Sequence, residues 1–228
     1  MLRAHDAALR AHDAQRGADD EVTTFVFVRH GENDVISTKI AGRKAGLHLN
    51  EAGRQQARHI ADALGDFPID AIYAGPLERA CETAEPLCQR LHLPLQIADE
   101  FNEIEFGDWT GEEFTDLRKK GEFQVWNSLR SFSAPPDGEM MLAVQARVVA
   151  RLRELRARHQ FVVIFSHGDV IRATIAYALG VPLDLFQRIQ VDSASISAVE
   201  LGDETLRVRL VNGSSDQRTI LPNLARPF

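Results

Sequence analysis

The sequence predicts an α/β fold, a three-layer α/β/α sandwich with a mainly parallel sheet. From Thr23 onward, short β-branched runs alternate with longer helical stretches, the order expected when helices cover both faces of a parallel sheet. The runs FVFV at 25–28 and FVVIF at 161–165 are apolar without alternation, as strands buried on both faces are. A chain of 228 residues is long enough for one domain of this kind.

The first half of the predicted domain places helices between three strands. The helix beginning near Asn50 has that residue as a candidate cap for its first turn. The next helix opens with Pro76, and Pro86 inside it should bend or shorten it. The strands around these helices are predicted at 25–28, 69–74 and near 94–98.

The second half begins with an aromatic segment, 112–133, that ends at SAPPDGE. Helical spacing of its aromatic residues favours a place in the core, although an insertion here could also roof a pocket. These residues are Phe114, Phe123, Trp126 and Phe132. A long amphipathic helix follows over 140–160, and a helix over 170–180 is closed by Gly180. The predicted apolar face of the long helix consists of Leu142, Ala146, Val149 and Leu152. Late strands are predicted near 187–191, 196–201 and 205–211.

Charge and cysteine content restrict the expected partners and location. The formal net charge of −7 argues against binding to nucleic acid or to an anionic membrane surface. No apolar run approaches the roughly 18 residues of a membrane span, and the N-terminus lacks the apolar core of a signal peptide. Cys81 and Cys88 lie too far apart on one helix, at about 10 Å, for a disulfide. Unpaired thiols fit a reducing compartment, so we expect a cytoplasmic protein.

Residues 1–21 are predicted to form a polar extension outside the domain, which spans 22–228. This segment contains RAHDA twice, with a period of seven. That period could place His5 and His12, with the aspartates beside them, on one helix face as a weak metal site. A polar extension that belongs to no core is the favoured interpretation.

Two similar polar clusters end the two apolar strands. VRHGE ends the first and FSHGD the second, so each strand delivers a histidine followed by a glycine. Ligands of such sheets bind beyond the carboxyl ends of the strands. If the strands are neighbours, His30 and His167 converge on one crevice, and the glycines let the backbone approach a ligand closely.

Arginine makes this crevice a candidate phosphate site. Arg29 precedes His30, and Arg79 lies in the first turns of a helix, where the helix N-terminus already favours anions. The guanidinium group offers a planar fork of donors that matches phosphate oxygens and keeps its charge at any working pH. Two arginines, two imidazoles and a helix end therefore predict a site for a phosphoryl group.

Four motifs in order resemble the signatures of the histidine phosphatase superfamily, which has the phosphoglycerate-mutase-like fold. They are RHGE after the first strand, LERACETA at 77–84, NEIEFGDWTG at 102–111 and SHGD at 166–169. The loop and helix sequence GLHLNEAGRQQA also matches, and the resemblance extends from about Thr23 to Leu179. Each motif alone is weak, whereas four in sequence are specific.

The resemblance implies catalytic roles. His30 would be the nucleophile, Arg29 and Arg79 would grip the phosphate, and His167 would be a further phosphate contact. A glutamate would be the proton donor: spacing alone does not rank Glu103 above Glu105, but the register of the motif selects Glu103, with Glu105 as the fallback.

Further substrate contacts are expected from Asn33, Arg43 and Gly168. For Arg43 and its neighbour Lys44, a solvated loop stays open as an equal alternative. Asn33 stands where the family commonly has threonine or serine, and Ile36 where an asparagine often contacts phosphate. Ala74 and Gly75 replace frequent serines. These departures concern the secondary phosphate contacts and leave the central set intact.

The resemblance implies a phosphomonoesterase that acts on a small phosphorylated substrate through a phosphohistidine, without a metal or other cofactor. Segment 112–140 would be an insertion or lid. Mutase-type transfer to a second hydroxyl and a non-catalytic phosphate-binding protein stay open as alternatives, as does a homodimer. Neither a dinucleotide-binding G-x-G-x-x-G, nor a P-loop, nor a G-x-S-x-G elbow occurs.

Overall fold

A six-stranded sheet forms the centre of the molecule in the computed structural model, which describes residues 22–215. The strands are β1 (Thr23–Arg29), β2 (Ala71–Ala74), β3 (Leu95–Ile97), β4 (Phe161–Ser166), β5 (Ile196–Leu201) and β6 (Leu206–Gly213). Their order is β3-β2-β4-β1-β5-β6. The first four run parallel, and β5 and β6 add an antiparallel edge. The predicted mainly parallel sheet is confirmed.

Helices cover both faces of this sheet. They are α1 (Glu51–Leu64), α2 (Glu78–Leu91), α3 (Phe114–Leu117), α4 (Gly121–Ser128), α5 (Met141–Arg156) and α6 (Gly168–Leu179). Short 3-10 turns occupy Asp99–Phe101, Gly107–Trp109 and Leu183–Arg188. The buried side chains of α1 and α2 share one core cluster, and those of α5 and α6 share the other. This is the predicted three-layer sandwich.

Strand β1 shows why its sequence lacks a polar alternation. Phe25 and Phe27 belong to the core under α5 and α6, whereas Val26 and Val28 belong to the core under α1 and α2. All four are fully buried. Successive side chains of a strand point to opposite faces, so a strand covered on both sides needs apolar residues at every position.

The register between β1 and β4 brings their ends together. Arg29 lies opposite Ser166 in this parallel pair, and the backbone N–H of His30 donates to the Ser166 carbonyl at 2.9 Å. The residues that follow the strands are therefore neighbours, which places His30 beside His167 as the sequence predicts.

The helix ends follow their local sequence. The Asn50 side chain accepts a hydrogen bond from the Gly53 N–H, which confirms the predicted cap of α1. Gly180 ends α6 with a φ of 66°, a left-handed conformation that favours glycine.

The predicted position of Pro76 inside α2 and the predicted shortening of α2 at Pro86 are wrong. Pro76 lies outside the helix, which begins at Glu78, and the helix continues through Pro86 to Leu91. An interior proline costs about 3 kcal/mol through a lost hydrogen bond and a steric conflict. Packing of Thr83, Ala84 and Leu87 in the core on either side of Pro86 offsets that cost.

The predicted apolar face of α5 is confirmed only at Leu152. Leu142 and Ala146 are exposed, and the buried residues are Met141, Val144, Val148, Leu152 and Leu155. Both sets have helical spacing, so periodicity could not choose between them. The choice depends on which side of α5 faces the sheet.

The strand predicted at 187–191 does not exist. A 3-10 turn ends at Arg188, and the carbonyls of Ile189 and Val191 accept hydrogen bonds from the side chains of Arg172 and Arg29. This backbone bonds to arginine side chains instead of a neighbouring strand. Phe132, predicted in the core, is 82% exposed.

Other expectations have simpler outcomes. Cys81 and Cys88 are free thiols, as predicted. None of the helices within residues 22–215 has the length and apolarity to cross a bilayer. The predicted extension at 1–21, with its two histidines, lies outside the described residues.

The loop after β1 packs directly on the first turn of α1. A Cβ added to Gly31 would lie 2.8 Å from the Gly53 carbonyl oxygen, and one added to Gly53 would lie 2.2 Å from the Glu32 carbonyl oxygen. The absence of a side chain at Gly31 thus lets two segments of the protein touch, rather than a backbone and a ligand as the sequence suggested.

We expect Gly53→Ala to destabilise the protein. Alanine is about 1 kcal/mol better than glycine inside a helix. A contact of 2.2 Å with rigid backbone outweighs that gain, so we predict a net loss of about 2 kcal/mol and a Tm lower by about 5 °C. Gly121→Ala is the control, because an added Cβ there meets nothing within 4 Å. Equal Tm values for the two variants would contradict the packing argument.

Candidate active site

A cavity of about 780 Å³ opens beyond the carboxyl ends of the parallel strands. Arg29 and His30 reach it from the end of β1, Arg79 from the first turn of α2, and Gly168 from the first turn of α6. Glu103 reaches it from the loop after the Asp99–Phe101 turn. Strand pairing and helix starts thus bring together residues that are far apart in the sequence.

His30 is held as a neutral imidazole with one free nitrogen. Its Nδ1 lies 2.8 Å from the Gly31 carbonyl oxygen. A carbonyl only accepts, so Nδ1 carries the proton and Nε2 has a free lone pair. Burial, helped by the charges of Arg79 and Arg29, lowers the pKa of His30 to about 3. The ring therefore stays unprotonated throughout the working pH range of most enzymes.

His167 lies behind His30 and does not border the cavity. Its side chain is completely buried, and the two ring centroids are 5.3 Å apart. The His167 Nδ1 atom is 4.0 Å from Glu103 Oε2. Burial and then the charge of Arg79 hold the pKa of His167 well below its usual range.

The two arginines bind to the protein with one edge of the guanidinium each. Arg79 Nη2 donates to the Gly42 carbonyl at 2.8 Å, and Arg29 Nη1 donates to the Val191 carbonyl at 2.8 Å. Burial lowers the pKa of both groups, which nevertheless stay charged.

Several buried nitrogens around His30 lack a partner among residues 22–215. They are Arg29 Nε, Arg79 Nε and Nη1, and both ring nitrogens of His167. A buried polar atom left unsatisfied costs about 1–3 kcal/mol. Both guanidiniums border the cavity, so cationic donors left without partners there indicate a site built for an anion.

Glu103 and Glu105 differ in position. The Glu103 side chain is only 13% exposed and borders the cavity. Burial, followed by the charge of Asp169, raises its pKa to about 7. The Glu105 side chain is 38% exposed, lies outside the cavity lining and faces Arg43 at 3.9 Å. The structure thus brings Glu103, and not Glu105, to the cavity that His30 borders.

Two of the three remaining residues predicted to contact substrate line the cavity, and the third does not. Asn33 is buried and borders the cavity, and its Oδ1 accepts from the Val35 N–H. Gly168 also borders it, and a Cβ there would lie 3.3 Å from Arg29 Nε. Arg43 is absent from the lining, because its guanidinium binds the carbonyl of Glu103.

Sequence reasoning missed a buried charge network beside the two histidines. Asp169 accepts from Arg130 at 3.1 Å and from Arg172 at 2.9 Å. Burial would raise the pKa of Asp169, but these two arginines outweigh it and lower the pKa. The Arg130 guanidinium also lies over the Trp126 ring, 3.2 Å from its centroid. Asp169 directly follows the SHG residues and could have been found, whereas Arg130 has no sequence signal.

The aromatic segment supplies the outer wall of the cavity. Phe114 and Arg118 border it from α3 and the residue after it, and Phe123 and Trp126 border it from α4. Trp126 packs edge-on against Phe106 and Trp109. Phe123 and Trp126 therefore belong to the hydrophobic core and also line the cavity.

Known proteins share this fold over most of the chain. The adenosylcobalamin/alpha-ribazole phosphatase of Escherichia coli is 29% identical over 191 residues, which are 82% of this chain and 94% of that protein. Phosphoserine phosphatase 1 of Hydrogenobacter thermophilus is 32% identical over 184 residues, 78% of this chain and 86% of that protein. The structure of a mycobacterial glucosyl-3-phosphoglycerate phosphatase matches with a TM-score of 0.77 at 26% identity, covering 85% of this chain and all (100%) of that one.

A family model agrees with these relatives and with the motifs that frame the cavity. The model of the histidine phosphatase superfamily (branch 1) matches residues 25–214. That range contains the parallel strands except the first two residues of β1, both histidines and every residue that lines the cavity. With its sheet order, its histidine pair and its relatives in agreement, the chain belongs to the histidine phosphatase superfamily.

Proposed function

We propose that this phosphatase hydrolyses a small phosphate monoester through a phosphohistidine formed on His30. The observation that carries the proposal is the free Nε2 of a neutral His30 among buried donors without partners. Arg29 and Arg79 bind the phosphoryl group, and Glu103 exchanges protons with the leaving group and with water. His167, which the sequence predicted as a further phosphate contact, does not border the cavity and packs against the His30 ring. Asn33 and Gly168 are further contacts at the cavity edge.

In the first step, His30 Nε2 attacks phosphorus and the bond to the leaving oxygen breaks. The phosphate carries two negative charges that repel a nucleophile, so fixed donors must spread this charge while the reacting atoms stay in line. The two guanidiniums do this without moving. Glu103 gives its proton to the departing oxygen, which leaves as an alcohol.

In the second step, water attacks the phosphohistidine. Glu103, now a carboxylate, takes a proton from that water as the P–N bond breaks. Phosphate leaves, and His30 recovers its free lone pair. A pKa of about 7 suits both steps, because each protonation state of Glu103 is accessible near neutral pH.

Mutase-type transfer uses the same first step but returns the phosphoryl group to a second hydroxyl. The relatives named above are phosphatases, which supports water as the acceptor. Isomerised phosphate ester without free phosphate would indicate the mutase.

The cavity charge favours substrates with a second anionic group. Basic side chains at its border outnumber carboxylates: Arg29, Lys39, Arg79, Arg118, Arg130 and Arg172 face only Glu103 and Asp169. Arg118 makes no side-chain hydrogen bond or ion pair within the part of the chain that the structure describes. We propose that residues 112–140 form the cover of a domain spanning 22–228, and that Arg118 contacts the leaving group from this cover.

The primary test is phosphate release from a panel of phosphate monoesters by wild type and His30→Ala. We expect the variant to lose at least about 10³-fold in kcat/KM, because the attacking nitrogen is removed. Wild type quenched in acid-free denaturant with labelled substrate should carry acid-labile phosphate on His30. His59→Ala, at an exposed position on α1, should behave as wild type. Equal turnover by His30→Ala would exclude the mechanism.

The pH dependence should report Glu103. Since its pKa is raised to about 7, the proton-carrying form prevails below pH 7 and is lost above it. We predict that kcat/KM for an alkyl phosphate falls about tenfold per pH unit above pH 7. Glu103→Gln should lack this limb and have low activity throughout. A limb that persists in Glu103→Gln would assign the titration to another group.

Substrate charge can be tested with two esters of the same carbon skeleton, 3-phosphoglycerate and glycerol 3-phosphate. We predict that wild type prefers the carboxylate by roughly fivefold in kcat/KM, and that Arg118→Met reduces this preference. Lys119→Met is the control, since Lys119 is outside the cavity lining and pairs with Asp116. Preference for glycerol 3-phosphate, which lacks the carboxylate, would contradict the charge argument.

A further inference from the structure

The loop that carries Glu103 is bound by an arginine from outside the cavity. Arg147, on α5, donates from Nη2 to the carbonyls of Asn102 at 2.8 Å and Glu103 at 3.3 Å. Its Nη1 donates to the carbonyl of Glu100. One guanidinium thus binds the backbone carbonyls on both sides of the Glu103 α-carbon.

A second arginine binds the same carbonyl. Arg43 Nε donates to the Glu103 carbonyl at 2.8 Å. The two arginines share the carboxylate of Glu139, which accepts from Arg147 Nε at 2.9 Å and from Arg43 Nη2 at 3.0 Å. We call Arg43, Glu139 and Arg147 the acid clamp, because together they enclose the backbone of Glu103.

The clamp also fixes the chain beyond Glu103. The Glu139 N–H donates to the Glu105 carbonyl at 2.8 Å. The backbone is therefore restrained at Glu103 by two guanidiniums and at Glu105 by a main-chain hydrogen bond. Among residues 22–215, the Glu103 carboxylate accepts a hydrogen bond only from the N–H of the next residue, Ile104, at 2.9 Å. Its position depends on the main chain that bears it.

The geometry requires a guanidinium. Arg147 satisfies several carbonyls and one carboxylate through a rigid planar fork, which a lysine ammonium on a flexible stem cannot reproduce. Arg151, one turn further along α5, offers a comparison. It pairs with the side chains of Glu154 and, at 4.0 Å, Glu100, and it binds no carbonyl of the Glu103 loop.

We propose that Arg147 is a positioning residue for proton transfer, acting on the leaving group through Glu103. The inference rests on the proposed function, in which Glu103 is the acid. Loss of the fork would let the Glu103 loop shift, and a displacement of about 1 Å at a reacting group can cost on the order of 10²-fold in rate. The binding of phosphate by Arg29 and Arg79 would not depend on it.

The test compares two esters that differ in their need for an acid. The 4-nitrophenolate of 4-nitrophenyl phosphate leaves without a proton, whereas the alkoxide of benzyl phosphate needs one. The kcat/KM values report phosphoryl transfer to His30 and exclude the later hydrolysis step. Glu103→Gln is the reference and should lose activity selectively on benzyl phosphate.

For Arg147→Met we expect kcat/KM on benzyl phosphate to fall about 10- to 100-fold and that on 4-nitrophenyl phosphate to change by less than about threefold. Combining it with Glu103→Gln should cause no further loss on benzyl phosphate, because both changes remove the same step. Arg151→Met should change neither value.

Arg147→Lys separates position from charge, since the charge of Arg147 also contributes to the low pKa of His167. It should reproduce the selective loss of Arg147→Met, and it carries the test if that variant does not fold. Equal losses on both esters, full activity of Arg147→Lys, or an additive loss in the double variant would overturn the proposal. Equal losses in Glu103→Gln would instead overturn the acid role of Glu103, and the clamp's role with it.

Discussion

The parallel pairing of β1 with β4 is the interaction on which the rest of the site depends. It aligns Arg29 with Ser166, so that the next residue of each strand is a histidine at the same edge of the sheet. Burial of both strands on both faces makes this edge rigid, because shifting the register would move apolar side chains out of two cores at once. The cavity therefore has a fixed floor, and loops from several parts of the chain need only supply its walls.

Burial is also the source of the site's chemistry. It is the leading cause of the lowered pKa of His30, the raised pKa of Glu103 and the lowered pKa of Arg79. The same buried environment thus yields a neutral imidazole and a carboxyl group that holds its proton near neutral pH. The arginines keep their charge there and lower the pKa of His30 further. An anion entering the cavity meets fixed donors that water does not screen.

Much of the fold and of the candidate site could be predicted from the sequence. The alternation of strands and helices, the two His-Gly pairs and Arg79 at a helix start all predicted what the structure shows. The failures have a common origin. The buried face of α5 and the missing strand at 187–191 were decided by partners distant in sequence, namely the sheet under α5 and the side chains of Arg29 and Arg172. Local periodicity contains no information about such partners.

The sequence by itself determined the sheet-and-helix order, the neighbouring histidines and the class of ligand, because strand ends and arginine chemistry are local properties. Only the tertiary structure placed Glu103, and not Glu105, at the cavity. It also showed that Arg43 binds the Glu103 carbonyl outside the cavity lining and that Asp169 pairs with Arg130. The physical reason is that a side chain's role depends on burial and on which groups face it. Both are set by how distant segments pack.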